Sequence, residues 1–179
     1  MWNTDTPFAS HGRGDKAAWW KLYNNTILAR KVPYGTPMNP FSLTANAKYY
    51  AVNNIFYALD DRLIYRDHLK TSGAVYDGNI VWQAAAGGPL FEFFGDGGTY
   101  NTLAAFQARQ TGWETHGQQI DPGFDLNEIN NPNYRYPEVL KRYVPKNLAA
   151  AKAGFSCAGR DWPETGGVDY AGAFPVEGR

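Results

Sequence analysis

A net charge is the first thing this 179-residue chain lacks: 17 basic residues balance 17 acidic ones. With no net field to draw it onto nucleic acid or an anionic membrane, neither is expected as a partner. Charged residues of either sign are also sparse, at 19% against the roughly 25% usual in globular domains. Cysteine occurs once, at Cys157, which excludes an internal disulfide and a cysteine-built metal cage. Only Arg160 lies near it in sequence as a cation, so the thiol reads as an ordinary one. No apolar run approaches the roughly 20 residues that span a bilayer. The opening Met1-Trp2-Asn3-Thr4-Asp5 has neither the basic nor the apolar region of a signal peptide. The D-x-[DN]-x-[DN]-G spacing of a calcium loop is missing, so calcium or another metal would need ligands gathered from separate parts of the chain, and no cofactor is expected.

Aromatic residues are plentiful instead, at 16%, so surface polarity must come from Asn, Gln, Ser, Thr and Gly interspersed with rings. The length suits one domain with a sizeable core. Its clearest organisation is a repeat. Leu22-Tyr23-Asn24-Asn25-Thr26-Ile27-Leu28, Ala51-Val52-Asn53-Asn54-Ile55-Phe56-Tyr57 and Tyr76-Asp77-Gly78-Asn79-Ile80-Val81-Trp82 each place a turn-prone pair ending in Asn between apolar stretches. Aligning Asn25, Asn54 and Asn79 gives spacings of 29 and 25 residues, a period typical of solenoids. Each unit reads as two short strands around a corner, where an Asn tolerates the left-handed backbone region and Gly78 reaches it freely. If successive units stack in register, the three asparagines form a hydrogen-bonded ladder; three unrelated hairpin turns are the alternative.

Residues 1–18 read as an irregular segment, residues 19–98 as the repeating coils, and residues 99–179 as a helix, final strands and a Gly/Pro-rich tail, all within one domain. Val32–Pro40 and Asp60–Gly73 carry the proline, glycine and charge of outer loops. Leu90-Phe91-Glu92-Phe93-Phe94 reads as one more buried strand, stopped by Gly95-Asp96-Gly97-Gly98. A helix is expected over about Thr102–Thr111, with Asn101 as N-cap and Gly112 at its end. Strand-like fragments follow at Gln119-Ile120 and Phe124-Asp125-Leu126, then helical turns at Pro137–Tyr143 and Asn147–Lys152.

The Asn corners are followed by Leu103-Ala104-Ala105-Phe106-Gln107, Thr111-Gly112-Trp113-Glu114, His116, Asp121-Pro122-Gly123-Phe124, Ala153-Gly154 and Asp169-Tyr170-Ala171-Gly172. Over Trp19 to Pro175 this order resembles the C-terminal third of right-handed parallel β-helix proteins of the pectin-lyase-like superfamily, found among extracellular polysaccharide lyases and glycoside hydrolases. The resemblance implies an all-β solenoid of a few coils, a polysaccharide or glycan partner, and a secreted or cell-surface location. It also implies that the central, catalytic coils lie upstream. The amphipathic capping helix of the family has no counterpart before Trp19. The open end is therefore expected to be covered either by residues 1–18 acting as a lid or by self-association into a homo-oligomer.

Candidate chemistry concentrates in Asp60, Asp61, Tyr65, Arg66, His68 and Lys70. A lyase needs a cation for a uronate carboxylate and a base for the ring proton, a hydrolase needs two carboxylates, and this stretch holds both inventories. A solvated, self-paired charge run is the competing reading. Trp19, Trp20, Tyr49, Tyr57 and Trp82 are candidate sugar-stacking rings, with filling of the interior as their alternative. Arg13-Gly14-Asp15 matches an adhesion tripeptide too short to carry weight, and His116 reads as structural or exposed. Two functions stay open, the distal part of a lyase or hydrolase and a carbohydrate-binding or structural module; for this chain alone the second is expected.

Overall fold

The computed structural model describes residues 19–29, 48–60, 63–67, 75–93, 98–109, 112–125 and 143–151. Over these the chain is mostly β. Strands β1 (Trp19–Tyr23), β3 (Lys48–Val52) and β6 (Val75–Asp77) form one parallel sheet in the order β1-β3-β6. Around the corner lies a second parallel sheet, β10-β7-β4-β2, built from β2 (Thr26–Ala29), β4 (Ile55–Ala58), β7 (Ile80–Gln83) and β10 (Gln118–Gln119). In a third, β5 (Tyr65–Asp67) pairs parallel with β8 (Phe91–Phe93), which pairs antiparallel with β9 (Gly98–Tyr100). From Lys48 the chain visits the three sheets as β3, β4, β5 and then again as β6, β7, β8, each strand laid parallel beside its counterpart.

Register explains the sequence repeat. Leu22 pairs with Ala51 and Ala51 with Tyr76; Ile27 pairs with Phe56, Phe56 with Val81 and Val81 with Gln119. Because the side-chain period of a strand is two, this alignment keeps one set of apolar positions facing inward as far as β7, and the exposed Gln119 takes the row in β10. Leu22, Ile27, Ala51, Phe56, Tyr76 and Val81 accordingly share one buried cluster with Ile64, Leu90 and Phe91 from beside and within the third sheet. Helix α1 (Leu103–Arg109) adds Leu103 and Phe106 to it. The Phe106 ring stacks on Phe91 at 4.6 Å and 18°, and Trp113 meets Tyr76 edge-on at 4.8 Å. Each such fully buried aromatic stabilises the fold by about 1.5–3 kcal/mol.

Strand β4 is buried at all four positions, the mark of a sheet covered on both faces. Its outer side chains, Ile55 and Tyr57, join Leu28 and Ile80 in a second cluster capped by Phe124, Tyr143 and Ala150. The covering segment is tied together by main-chain bonds from Lys146 and Asn147 to the Pro122 carbonyl, at 3.0 and 3.1 Å. It ends in the single turn α2 (Leu148–Ala151), whose Ala149 N–H is capped by Asn147 Oδ1 at 3.0 Å.

Three details depart from the sequence reading. The stretch expected as an outer loop from Asp60 to Gly73 contains β5 and sends Leu63 and Ile64 into the interior. The N-cap of α1 is Thr102, not Asn101: the Thr102 hydroxyl accepts the Ala105 N–H at 3.1 Å. The left-handed residue of each corner is the first of its pair, Asn24 (φ 50°), Asn53 (φ 55°) and Gly78 (φ 63°), so the aligned asparagines are free to point along the stack. Val32–Pro40, the N-terminal segment, the Gly-rich tail with Cys157, and most of Pro137–Tyr143 lie outside the described residues.

Candidate functional site

At the corner between the first two sheets the three aligned asparagines are joined. The backbone N–H and the Nδ2 of Asn25 both donate to Asn54 Oδ1, at 3.0 and 3.0 Å. Asn54 repeats the pattern onto Asn79 Oδ1, at 2.9 and 2.9 Å. The second Nδ2 proton also finds an acceptor at every step: Tyr23 O for Asn25, Leu22 O for Asn54 and Ala51 O for Asn79. Asn54 and Asn79 are fully buried, and this complete pairing removes the penalty for sequestering an amide.

The fourth member is Glu114, which the sequence reading did not single out. Its buried carboxylate accepts the Asn79 N–H through Oε2 at 3.1 Å and Asn79 Nδ2 through Oε1 at 2.7 Å. In strand register the residue beside Asn79 is Gly117, since Gln118 pairs with Ile80. A Cβ on Gly117 would stand 2.5 Å from Glu114 Oε2, so glycine is needed there to admit the carboxylate. Glu114 itself sits at φ 50°, and its carbonyl accepts from Gln107 Nε2 and from the Gly117 N–H. On the outside of the same corner, Asp77 Oδ1 accepts the N–H groups of Gly78 and His116, at 2.9 and 2.7 Å. The exposed His116 ring and the Thr115 hydroxyl both bond Asp77 Oδ2 at 3.0 Å. The Thr115 hydroxyl also lies 3.2 Å from His116 Nδ1, so the three side chains clamp the turn together.

The charged candidates are not gathered into a described site. Tyr65 and Arg66 lie in β5, opposite Phe91 and Glu92, and Asp60 is half-buried before it. Asp61, His68 and Lys70 lie outside the described residues. Among the described residues no three His, Cys, Asp or Glu side chains converge as metal ligands. Nor is any described helix long and apolar enough to cross a membrane.

The ring candidates separate. Trp19, Trp20 and Tyr49 lie in the first sheet, where Trp20 and Tyr49 are register partners. Tyr57 is corrected to a core residue: it is 2% exposed, its ring lies 5.4 Å from Phe124, and the covering segment closes the face from which a sugar would reach it. Burial, and secondarily the charge of Asp121, push its hydroxyl up to about 12. Trp82, one layer further along the same row, is only half-buried.

Trp82 lines a cleft of about 300 Å³ together with Gln83, Asn101 and Gln119, and Gly87 and Gly88 form part of its wall. The site joins the end of β7, the loop that follows it, the approach to α1 and strand β10. Gln119 Oε1 accepts the Leu103 N–H at 3.0 Å, which fixes the side chain and leaves its Nε2 as an oriented donor. Gln83 and Gln119 follow the inner rows of Ala58 and Val81, whereas the Trp82 ring packs on the outer cluster with Tyr57 and Ile80, so the cleft's contribution to recognition is its carboxamides, which pair donors and acceptors for hydroxyls. Gln83, Asn101 and Gln119 come from three separate segments, so no local motif could have marked them. Comparison of the chain with family models, curated proteins and solved structures finds no match.

Proposed function

We infer that this chain is a stretch of right-handed parallel β-helix from a polysaccharide-handling protein, and that it binds glycan without needing to turn it over. The twice-repeated passage through three sheets and the continuous Asn25–Asn54–Asn79 ladder support the solenoid reading. One observation carries the functional reading: a cleft of about 300 Å³ whose described polar lining residues, Gln83, Asn101 and Gln119, are all carboxamides. Small-ligand sites combine an apolar surface with a few placed polar groups, and this cleft meets that description at the small end of the usual range. A glycan partner implies a secreted or cell-surface protein.

The test is affinity electrophoresis of the whole chain through gels containing neutral or uronate polysaccharides, with unsaturated-product absorbance and reducing ends recorded in parallel. Retardation without product formation is the expected result. Product formation would replace binding by turnover, and unretarded migration in every gel would end the carbohydrate reading.

A further inference from the structure

The first corner carries a motif that the ladder does not use. Asn24-Asn25-Thr26 is the only Asn-x-Ser/Thr tripeptide in the sequence, the acceptor pattern for N-linked glycosylation. We propose that Asn24 is a glycosylation site, modified as the chain passes through a secretory pathway and carrying its glycan at the corner between β1 and β2. This rests on the secreted or cell-surface location inferred above and adds a covalent modification to it.

Two structural observations give the tripeptide weight. The adjacent asparagines divide the work of the corner: Asn25 gives its Nδ2 protons to Tyr23 O and Asn54 Oδ1, so the second residue of the pair serves the ladder. Asn24 is the turning residue, at φ 50°, and it is half-buried, whereas its counterpart Asn53 one layer on is 4% exposed. Among the described residues β1 and β2 are the outermost strands of their sheets, so no described layer lies over the Asn24 corner, and a bulky hydrophilic group has room there. Thr26 supplies the second observation. It pairs in register with Ile55, and Ile55 with Ile80, so this row holds a hydroxyl where the next two layers hold isoleucine. Thr26 is 8% exposed and Ile55 belongs to the outer apolar cluster, where packing alone favours a third β-branched hydrocarbon. Acceptor recognition gives the hydroxyl its reason, because the transferase reads it on the extended chain before β2 is buried. In the transfer, Asn24 Nδ2 attacks C1 of a lipid-linked diphospho-oligosaccharide. The N–C bond forms as the C–O bond to the diphosphate breaks, one Nδ2 proton passes to a base of the transferase, and the lipid diphosphate leaves with the bonding electrons.

The test expresses the whole chain behind a cleavable secretion signal in a eukaryotic host. Secreted and cell-retained protein are both mapped by peptide mass, before and after enzymatic release of N-glycans. The wild type should carry one N-glycan, at Asn24, and release should leave aspartate at that position. Asn24→Gln and Thr26→Val should lose the glycan completely, and Thr26→Ser should retain it. Thr26→Val keeps the β-branched shape beside Ile55, so its missing glycan is not a missing fold. The glycosylated wild type should unfold at a urea midpoint no lower than that of the enzymatically deglycosylated protein. An unmodified Asn24, a glycan that survives Thr26→Val, or a glycosylated chain that no longer unfolds cooperatively overturns the site. Because the added signal supplies the secretory route, an unmodified Asn24 counts against the site alone. The glycan-binding reading falls separately, to unretarded migration in the polysaccharide gels.

Discussion

Replacing Asn54 by alanine removes a side chain whose every polar atom is engaged. Three hydrogen bonds through Nδ2 and Oδ1 disappear outright, to Leu22 O, to Asn79 Oδ1 and from Asn25 Nδ2, and the Asn25 N–H loses its acceptor as well. The Asn79 oxygen keeps one partner, the Asn54 backbone N–H. With a net value near 1 kcal/mol per bond, and more where a buried group is left unsatisfied, the loss comes to about 2–4 kcal/mol. Asn25→Ala should cost less, about 1 kcal/mol, because its Oδ1 receives no donor among the described residues and the site is only half-buried. Asn79→Ala should cost most, about 3–5 kcal/mol, since it also strips a donor from the buried Glu114 carboxylate, where bonds to a charged group are worth more. Urea unfolding of the three variants measures this order, with m-values checked for constancy. For a chain of this size each kcal/mol corresponds to about 2–4 °C in Tm. Equal, small losses at all three positions would mean that the asparagines act as independent turn residues, and the ladder argument would fall.

Glu114→Gln should destabilise by about 2 kcal/mol in the same assay, because one acceptor becomes an NH2 group facing an Asn79 donor. Gly117→Ala should cost about 1–3 kcal/mol by displacing that carboxylate, and the pair Glu114→Ala with Gly117→Ala should cost less than the sum of the single changes. Tyr57, raised from 10.0 to about 12, contributes stability that is complete below pH 10 and declines as pH climbs towards 12, since the unfolded chain ionises first. Chemical denaturation across this window should show the slope in the wild type and its reduction in Tyr57→Phe. Thr102→Ala should cost about 1 kcal/mol through loss of the α1 cap, read as a lowered Tm.

The ladder was legible because the aligned amide and its apolar neighbours recur together in three segments, and only one register satisfies both. Glu114 was not, because it reaches the stack from three residues ahead of the register position held by Gly117; a Glu-Thr-His-Gly sequence reads as an exposed turn. Strand β5 was hidden for a different reason. It is three residues long and two of them, Arg66 and Asp67, are charged, so periodicity over so short a window gives no signal. Tyr57 read as a binding ring because its pattern cannot tell an open outer face from one covered by Phe124 and Tyr143, which lie far along the chain. The cleft is tertiary in the same sense: its amides are brought together only when β10 settles beside β7.

A row of asparagines has a direction, because each passes its protons to the next and needs a neighbour to receive them. Asparagine alone can extend such a row but cannot finish it, since the last amide would still hold protons to give away. A carboxylate accepts and passes nothing on, and Glu114 therefore behaves as a terminator in the sense that a polymer has an end group. A further asparagine layer beyond it would bring an oxygen to a side chain with no proton to offer. Another copy stacked head to tail would set the Glu114 carboxylate against Asn25 Oδ1, acceptor against acceptor. The corner thus marks a layer at which the stack stops propagating, and it discourages end-to-end growth into a fibre without any bulky cap.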